Sequence, residues 1–181
     1  MADSRASYRY ALAVLGVAEE IKQLDRVRDD FSLIGKTIDD SREFALFLKS
    51  PVISQGKKKQ LLEIVFKQSV CDLTMKFIVL ITNKGREMLL PEIIRQFMLL
   101  YNQRHGIIDV AVKTAAKMTT DQQKILSDRL QKITGKSVRF TELLDPKLIG
   151  GFTVQYEDTV WDGSVKHQLE TLREQLVGGA A

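Results

Sequence analysis

The spacing of apolar residues changes once along the chain, and that change limits the possible folds more than any other feature. From Ser4 to about Arg104, apolar side chains recur three and four residues apart, the interval that lines one face of an α-helix. Past Gly106 the interval falls to two in Ile108-Asp109-Val110-Ala111-Val112-Lys113, the alternation of a half-buried strand. The spacing predicts a mainly α chain in two parts: a six-helix bundle over residues 1–106 and a small α+β domain over 107–181.

Breakers divide the helical part. A first helix is expected from Ser4 to about Glu20, a second through Leu24, Val27, Phe31 and Ile34, and a short third carrying Phe44, Leu46 and Leu48. Ser50-Pro51 stops the third, because a residue before proline is pushed out of the helical region. After Ser54-Gln55-Gly56 a fourth helix carries Leu61, Leu62, Val65 and Phe66; a fifth runs from about Asp72 to Thr82 and stops at Asn83-Lys84-Gly85. A sixth passes through Leu89, Ile93, Phe97 and Tyr101 to Gly106, with Pro91 near its start, where a missing amide is harmless.

The second part reads strand, helix, strand, strand, helix. Thr120 with Gln123 has the spacing of a capping box and opens a helix through Ile125, Leu126, Leu130 and Ile133 that Gly135 closes. Val138 to Leu143 and Phe152 to Tyr156 read as strands, Ser164 to Leu176 as a last amphipathic helix, and Gly178 to Ala181 as a disordered tail.

Composition bounds the chemistry. Among 181 residues, Cys71 is the single cysteine and His105 and His167 the only histidines, so neither a disulfide framework nor a cluster of soft metal ligands is expected. No apolar run approaches the ~20 residues that span a bilayer, and the start Met-Ala-Asp-Ser-Arg has neither signal-peptide nor transit-peptide layout, so the chain is expected to act where it is made. The formal charge of +4 is spread out, and its densest run, Lys57-Lys58-Lys59, lacks interleaved aromatics and reads as a solvated face rather than a nucleic-acid site.

No catalytic residue, cofactor or metal site is expected. Gly135-Lys136-Ser137 matches the end of a phosphate-binding loop, but the earlier glycine would fall on Leu130 and the segment runs from helix to strand, the reverse of that motif. A small nucleotide- or nucleic-acid-binding protein using this segment or the Lys57 to Lys59 run is the alternative reading. Gly150-Gly151 lacks the third glycine and following helix of a dinucleotide site and reads as a tight bend or a close backbone approach. The pairs Asp29-Asp30 and Asp39-Asp40 are expected on polar faces, and Cys71 as a small core or helix-start residue.

What the sequence offers instead is surface. The first helix carries apolar residues around most of its circumference, from Tyr8 and Tyr10 to Val17 and Ala18, and the fifth does the same from Leu73 to Ile81. A surface helix needs one apolar stripe, so these two either fill the bundle or offer a second face to a partner helix lying between them.

Several segments, in order, resemble the delta subunit family of F-type ATP synthases, which includes the mitochondrial oligomycin-sensitivity-conferring protein. Arg9-Tyr10-Ala11 with Ala13 is similar to the family's opening signature, with a shorter spacing from the arginine. Ser50-Pro51 with Lys57 and Leu61-Leu62, then Asn83-Lys84-Gly85-Arg86 and Leu90-Pro91-Glu92-Ile93, resemble its middle. The closing block has Asp145, Pro146, Leu148, Gly150 and Gly151, then Asp162, Gly163 and Ser164, then Leu169, Leu172 and Leu176. Leu144 stands where valine is common and Trp161 where an aliphatic residue is usual.

The resemblance implies a non-catalytic stator, peripheral on the cytoplasmic face of the inner membrane and touching the membrane only through the stalk. Its N-terminal domain would hold the N-terminal helix of alpha subunits in a groove between the first and fifth helices, with Tyr10, Val14, Ile78 and Leu80 as contacts. Its C-terminal domain would bind the C-termini of the b subunits. No nucleic acid is implied.

Overall fold

Six α-helices precede the first strand in the computed structural model, which describes residues 2–156 and 159–178. They are α1 (Ala2–Glu20), α2 (Leu24–Asp40), α3 (Arg42–Lys49), α4 (Gln55–Phe66), α5 (Asp72–Asn83) and α6 (Leu90–His105), the last entered through a 3-10 turn at Glu87–Leu89. The remainder is β1 (Ile107–Thr114), α7 (Thr120–Thr134), β2 (Ser137–Leu144), a 3-10 turn at Pro146–Leu148, β3 (Phe152–Tyr156), β4 (Thr159–Asp162) and α8 (Val165–Gly178). The chain is therefore mainly helical, with eight α-helices and a four-stranded mixed sheet among the described residues. Two compact units divide it, Met1–Tyr101 and Asn102–Ala181, so the division falls inside the last turns of α6.

In the first unit α2 lies against α1, α3 and α5. An aromatic chain marks the core: Tyr10 of α1 meets Phe77 of α5 edge-on at 6.4 Å, Phe77 meets Phe31 of α2 at 5.8 Å, and Phe31 meets Phe97 of α6 at 4.6 Å. Ser41 caps α3 by accepting the Phe44 amide, and Ser50, extended before Pro51, ends it.

Two charged groups stand inside this unit where the sequence suggests solvent. Lys58, from the run read as a solvated face, is only 3% exposed; its ammonium donates to the Leu48 carbonyl at 3.0 Å and pairs with Glu87. The correction follows from position: the middle lysine of three faces inward on α4, so its amine needs a buried partner. Asp30, expected on a polar face, is 2% exposed. One carboxylate oxygen accepts the Cys71 amide at the start of α5, at 2.8 Å, and the other pairs with Arg26 at 3.2 Å. Asp30→Ala should lower stability by about 2 kcal/mol, since it orphans that amide and breaks the ion pair; the denaturation midpoint measures it.

The second unit has strand order β2-β1-β3-β4, with β1 parallel to β2 and antiparallel to β3. The parallel pair requires a crossover, which α7 supplies. Ile108, Val110 and Val112 of β1 pack with Val154 of β3 against Leu130 of α7. Three expectations are corrected. The capping box is Thr119 with Gln122, one residue earlier than expected. A fourth strand, β4, pairs with β3. Gly178 closes α8 instead of opening a disordered tail, whose remaining residues, 179–181, lie outside the described ones.

Candidate functional site

The four residues expected to hold a partner helix separate into two pairs. Val14 and Ile78 are core, 5% and 1% exposed, because each faces inward from its helix. They support the surface without forming it, a correction to their expected role as contacts. Leu80, two residues beyond Ile78, points outward at 47% exposure. Tyr10 is half-buried: its ring rests on Phe77, and its hydroxyl accepts from Arg86 at 2.9 Å.

Arg86 is the residue that apolar spacing misses. Gly85, at φ +65°, ends α5 in the left-handed conformation, with the Arg86 amide returning to the Ile81 carbonyl at 3.0 Å. That turn brings the Arg86 guanidinium to 5.7 Å from the Tyr10 ring centroid. Ala6, Arg9, Tyr10, Ala13 and Arg86 line a recess of about 250 Å³ beside α1. Tyr8, Leu12 and Val17 of α1 are also exposed, so this helix does present apolar surface beyond its buried stripe of Ala11, Val14, Leu15 and Ala18. Exposed apolar residues on α1 together with a recess that carries Arg9 and Arg86 suit an amphipathic helix.

The closing sequence block builds a corner of the second unit. Asp145 accepts the Lys147 amide at the start of the 3-10 turn that begins with Pro146. Asp162 accepts the Ser164 amide at 2.8 Å, and Ser164 caps α8 by accepting the His167 amide. Hydrogen bonds from the Ser164 hydroxyl and amide hold the Asp162 carboxyl below its ordinary range. Gly151 sits at φ +75°, and a methyl group there would lie 2.3 Å from the Gly163 carbonyl; one on Gly150 would meet Val165 at 2.9 Å. Gly151→Ala should therefore lower the stability of this unit by about 1–3 kcal/mol, read from the thermal unfolding of Trp161 fluorescence.

The two motifs of the alternative reading take structural roles. Gly135 closes α7 at φ +67° and Lys136-Ser137 leads into β2, so the helix-to-strand order opposite to a phosphate loop is present. Lys58 is removed from the basic run by burial. Among the described residues no group of three or more metal-ligating side chains converges, and no helix is long and apolar enough to cross a membrane.

Comparison with known proteins brings these features together. The family model described as ATP synthase delta (OSCP) subunit matches residues 6–176. The chain is 43% identical over 181 residues to ATP synthase subunit delta of Chlorobaculum parvum and 42% identical to that of Chlorobaculum tepidum, covering 100% of each chain compared. Among solved structures, one chain of the Toxoplasma gondii mitochondrial ATP synthase hexamer is similar with a TM-score of 0.73 and 26% identity, over 94% of this chain and 97% of that one.

Proposed function

Because the chain belongs to the ATP synthase delta (OSCP) subunit family, we propose that it joins head to stalk through two separate surfaces, one on each compact unit. It is a non-catalytic stator subunit of an F-type ATP synthase and associates with the other subunits of that complex. In the proposed arrangement the helical unit, Met1–Tyr101, holds the N-terminal helix of an alpha subunit against Tyr10, Leu80 and the exposed side of α1. The second unit, Asn102–Ala181, meets the C-terminal ends of the b subunits. The chain reaches the membrane through the complex, on its cytoplasmic face.

The observations that carry the first half are the exposed apolar residues of α1, the recess on that helix lined by Arg9 and Arg86, and the exposed Leu80 of α5. In a monomer such surface is left in water; a helix laid on it removes it from water and adds charge-assisted contacts at the rim. The work is mechanical. The stator keeps the alpha-beta head from turning with the rotor, so its contacts must dissociate slowly; a standard interface of about 1,600 Å² can reach nanomolar affinity or tighter when its anchors are well packed. Two linked contacts in one assembly raise the effective concentration of each.

Calorimetric titration of the full chain with a peptide of the cognate alpha subunit's N-terminal segment tests the arrangement. Saturable binding that the b subunit does not compete away is the expected result. Absence of binding to the peptide and to the intact head would remove the alpha contact from this surface.

A further inference from the structure

The second unit contains a recess of about 480 Å³ whose apolar lining comes from Met118, Ile125, Leu126, Ile149 and Phe152. Two cations, Lys117 and Arg129, share its wall, and no carboxylate does. Glu142, which bonds to two residues of the lining, is already engaged: it accepts from the Met118 amide at 2.7 Å, from Thr114 and from Gln123. Those bonds fix the segment between β1 and α7, so the recess exists before any ligand arrives.

Its far wall is held in an uncommon way. The Gly150 amide donates to the Leu148 carbonyl at 2.7 Å, closing a three-residue turn on Ile149, whose φ is +66° and ψ −43°. That is the strained, positive-φ kind of γ-turn, at a β-branched residue poorly suited to it. Ile149 is also 67% exposed, so the strain is not offset by burying its side chain. Gly150 and Gly151, packed under Val165 and Gly163, hold the turn in place. Backbone strain that presents an apolar side chain to solvent beside a preformed recess is the pattern of a ligand clamp.

We propose that this recess is a docking site for an amphipathic helical segment carrying carboxylates beside an aliphatic anchor. The inference rests on the reading above that this unit meets the b subunits, and it places that contact on the face between α7 and Ile149. The lining argues for both halves of the partner's chemistry. Ile125 and Arg129 lie four residues apart on α7, one helical turn, so a helix laid along α7 offers an aliphatic side chain to the first and an acid to the second in repeat. The aliphatic anchor fills the space between Ile125, Ile149 and Phe152, and Lys117 and Arg129 take its acids.

The test uses the full chain and the soluble segment of the cognate b subunit, with the alpha N-terminal peptide as internal control. Ile149→Gly relieves the positive φ, so the variant should melt no lower than the parent, yet its affinity for the b segment should fall tenfold or more. Arg129→Glu should weaken the same binding at low salt and much less at high salt, with the alpha peptide unaffected by either change. If the parent chain binds the b segment and both variants bind equally well, the recess is not the contact, although the stalk reading stands. If the parent chain does not bind the b segment, both readings fall. Variant-sensitive binding to anionic lipid vesicles in its place would assign the recess to a lipid and overturn the helical occupant.

Discussion

Glu87→Ala should lower the stability of the helical unit by about 3–5 kcal/mol, because it leaves the Lys58 ammonium buried with only the Leu48 carbonyl for company. Lys58→Met should be comparably harmful, since it strands a carboxylate 6% exposed in the turn before α6. The informative variant is the double replacement Lys58→Met with Glu87→Leu. A buried ion pair is offset by the desolvation of both ions, and here the second oxygen of Glu87 is buried without a hydrogen-bond partner, so the pair is incompletely satisfied. The double variant should recover most of the lost stability or exceed the parent. Guanidinium denaturation followed by far-UV circular dichroism measures all three, and a double variant as unstable as the sum of the singles would contradict this account.

That ion pair also shows where reading the sequence stops. The period of apolar residues marks each helix of the first unit, because one face of each is buried and burial is what periodicity records. It does not mark which lysine of Lys57-Lys58-Lys59 turns inward, since the partner, Glu87, lies 29 residues away and only the packed fold brings them together. Leu80 and Ile78 illustrate the same limit within one helix: both are apolar, two residues apart, and only packing decides which is core and which is surface.

In the second unit the obstacles are local. Thr119 with Gln122 and Thr120 with Gln123 have identical spacing, so a one-residue ambiguity in the start of α7 is built into the sequence. The strand β4 has four residues, all exposed, and therefore no alternation to read. The end of α1 carries Lys22 at φ +55° where a glycine would be the usual sign. The γ-turn at Ile149 has no sequence signal either, since isoleucine is among the residues least suited to positive φ. The glycines beside it were legible as a tight bend, but which neighbour they force into strain was not.

Leu80→Asp should weaken binding of the alpha subunit's N-terminal segment by about 2–5 kcal/mol, a loss of roughly 30-fold to several thousand-fold. In the free chain the new carboxylate points into water, because Leu80 stands on the outer side of α5, so the fold and its melting temperature should be nearly unchanged. In the proposed complex the same carboxylate is taken out of water against aliphatic side chains, a cost that the exposed Lys76 and Lys84, one turn to either side, offset only in part. The contrast with Ile78 makes the test specific. Ile78→Asp places its charge in the core, so it should abolish binding by unfolding the unit, and a loss there would say nothing about the surface. Leu80→Asp with native melting and lost affinity assigns the contact to the exposed side of α5. Native melting with unchanged affinity would move the alpha helix off α5 and leave the outer face of α1, with Tyr8, Leu12 and Val17, as the surface to test next.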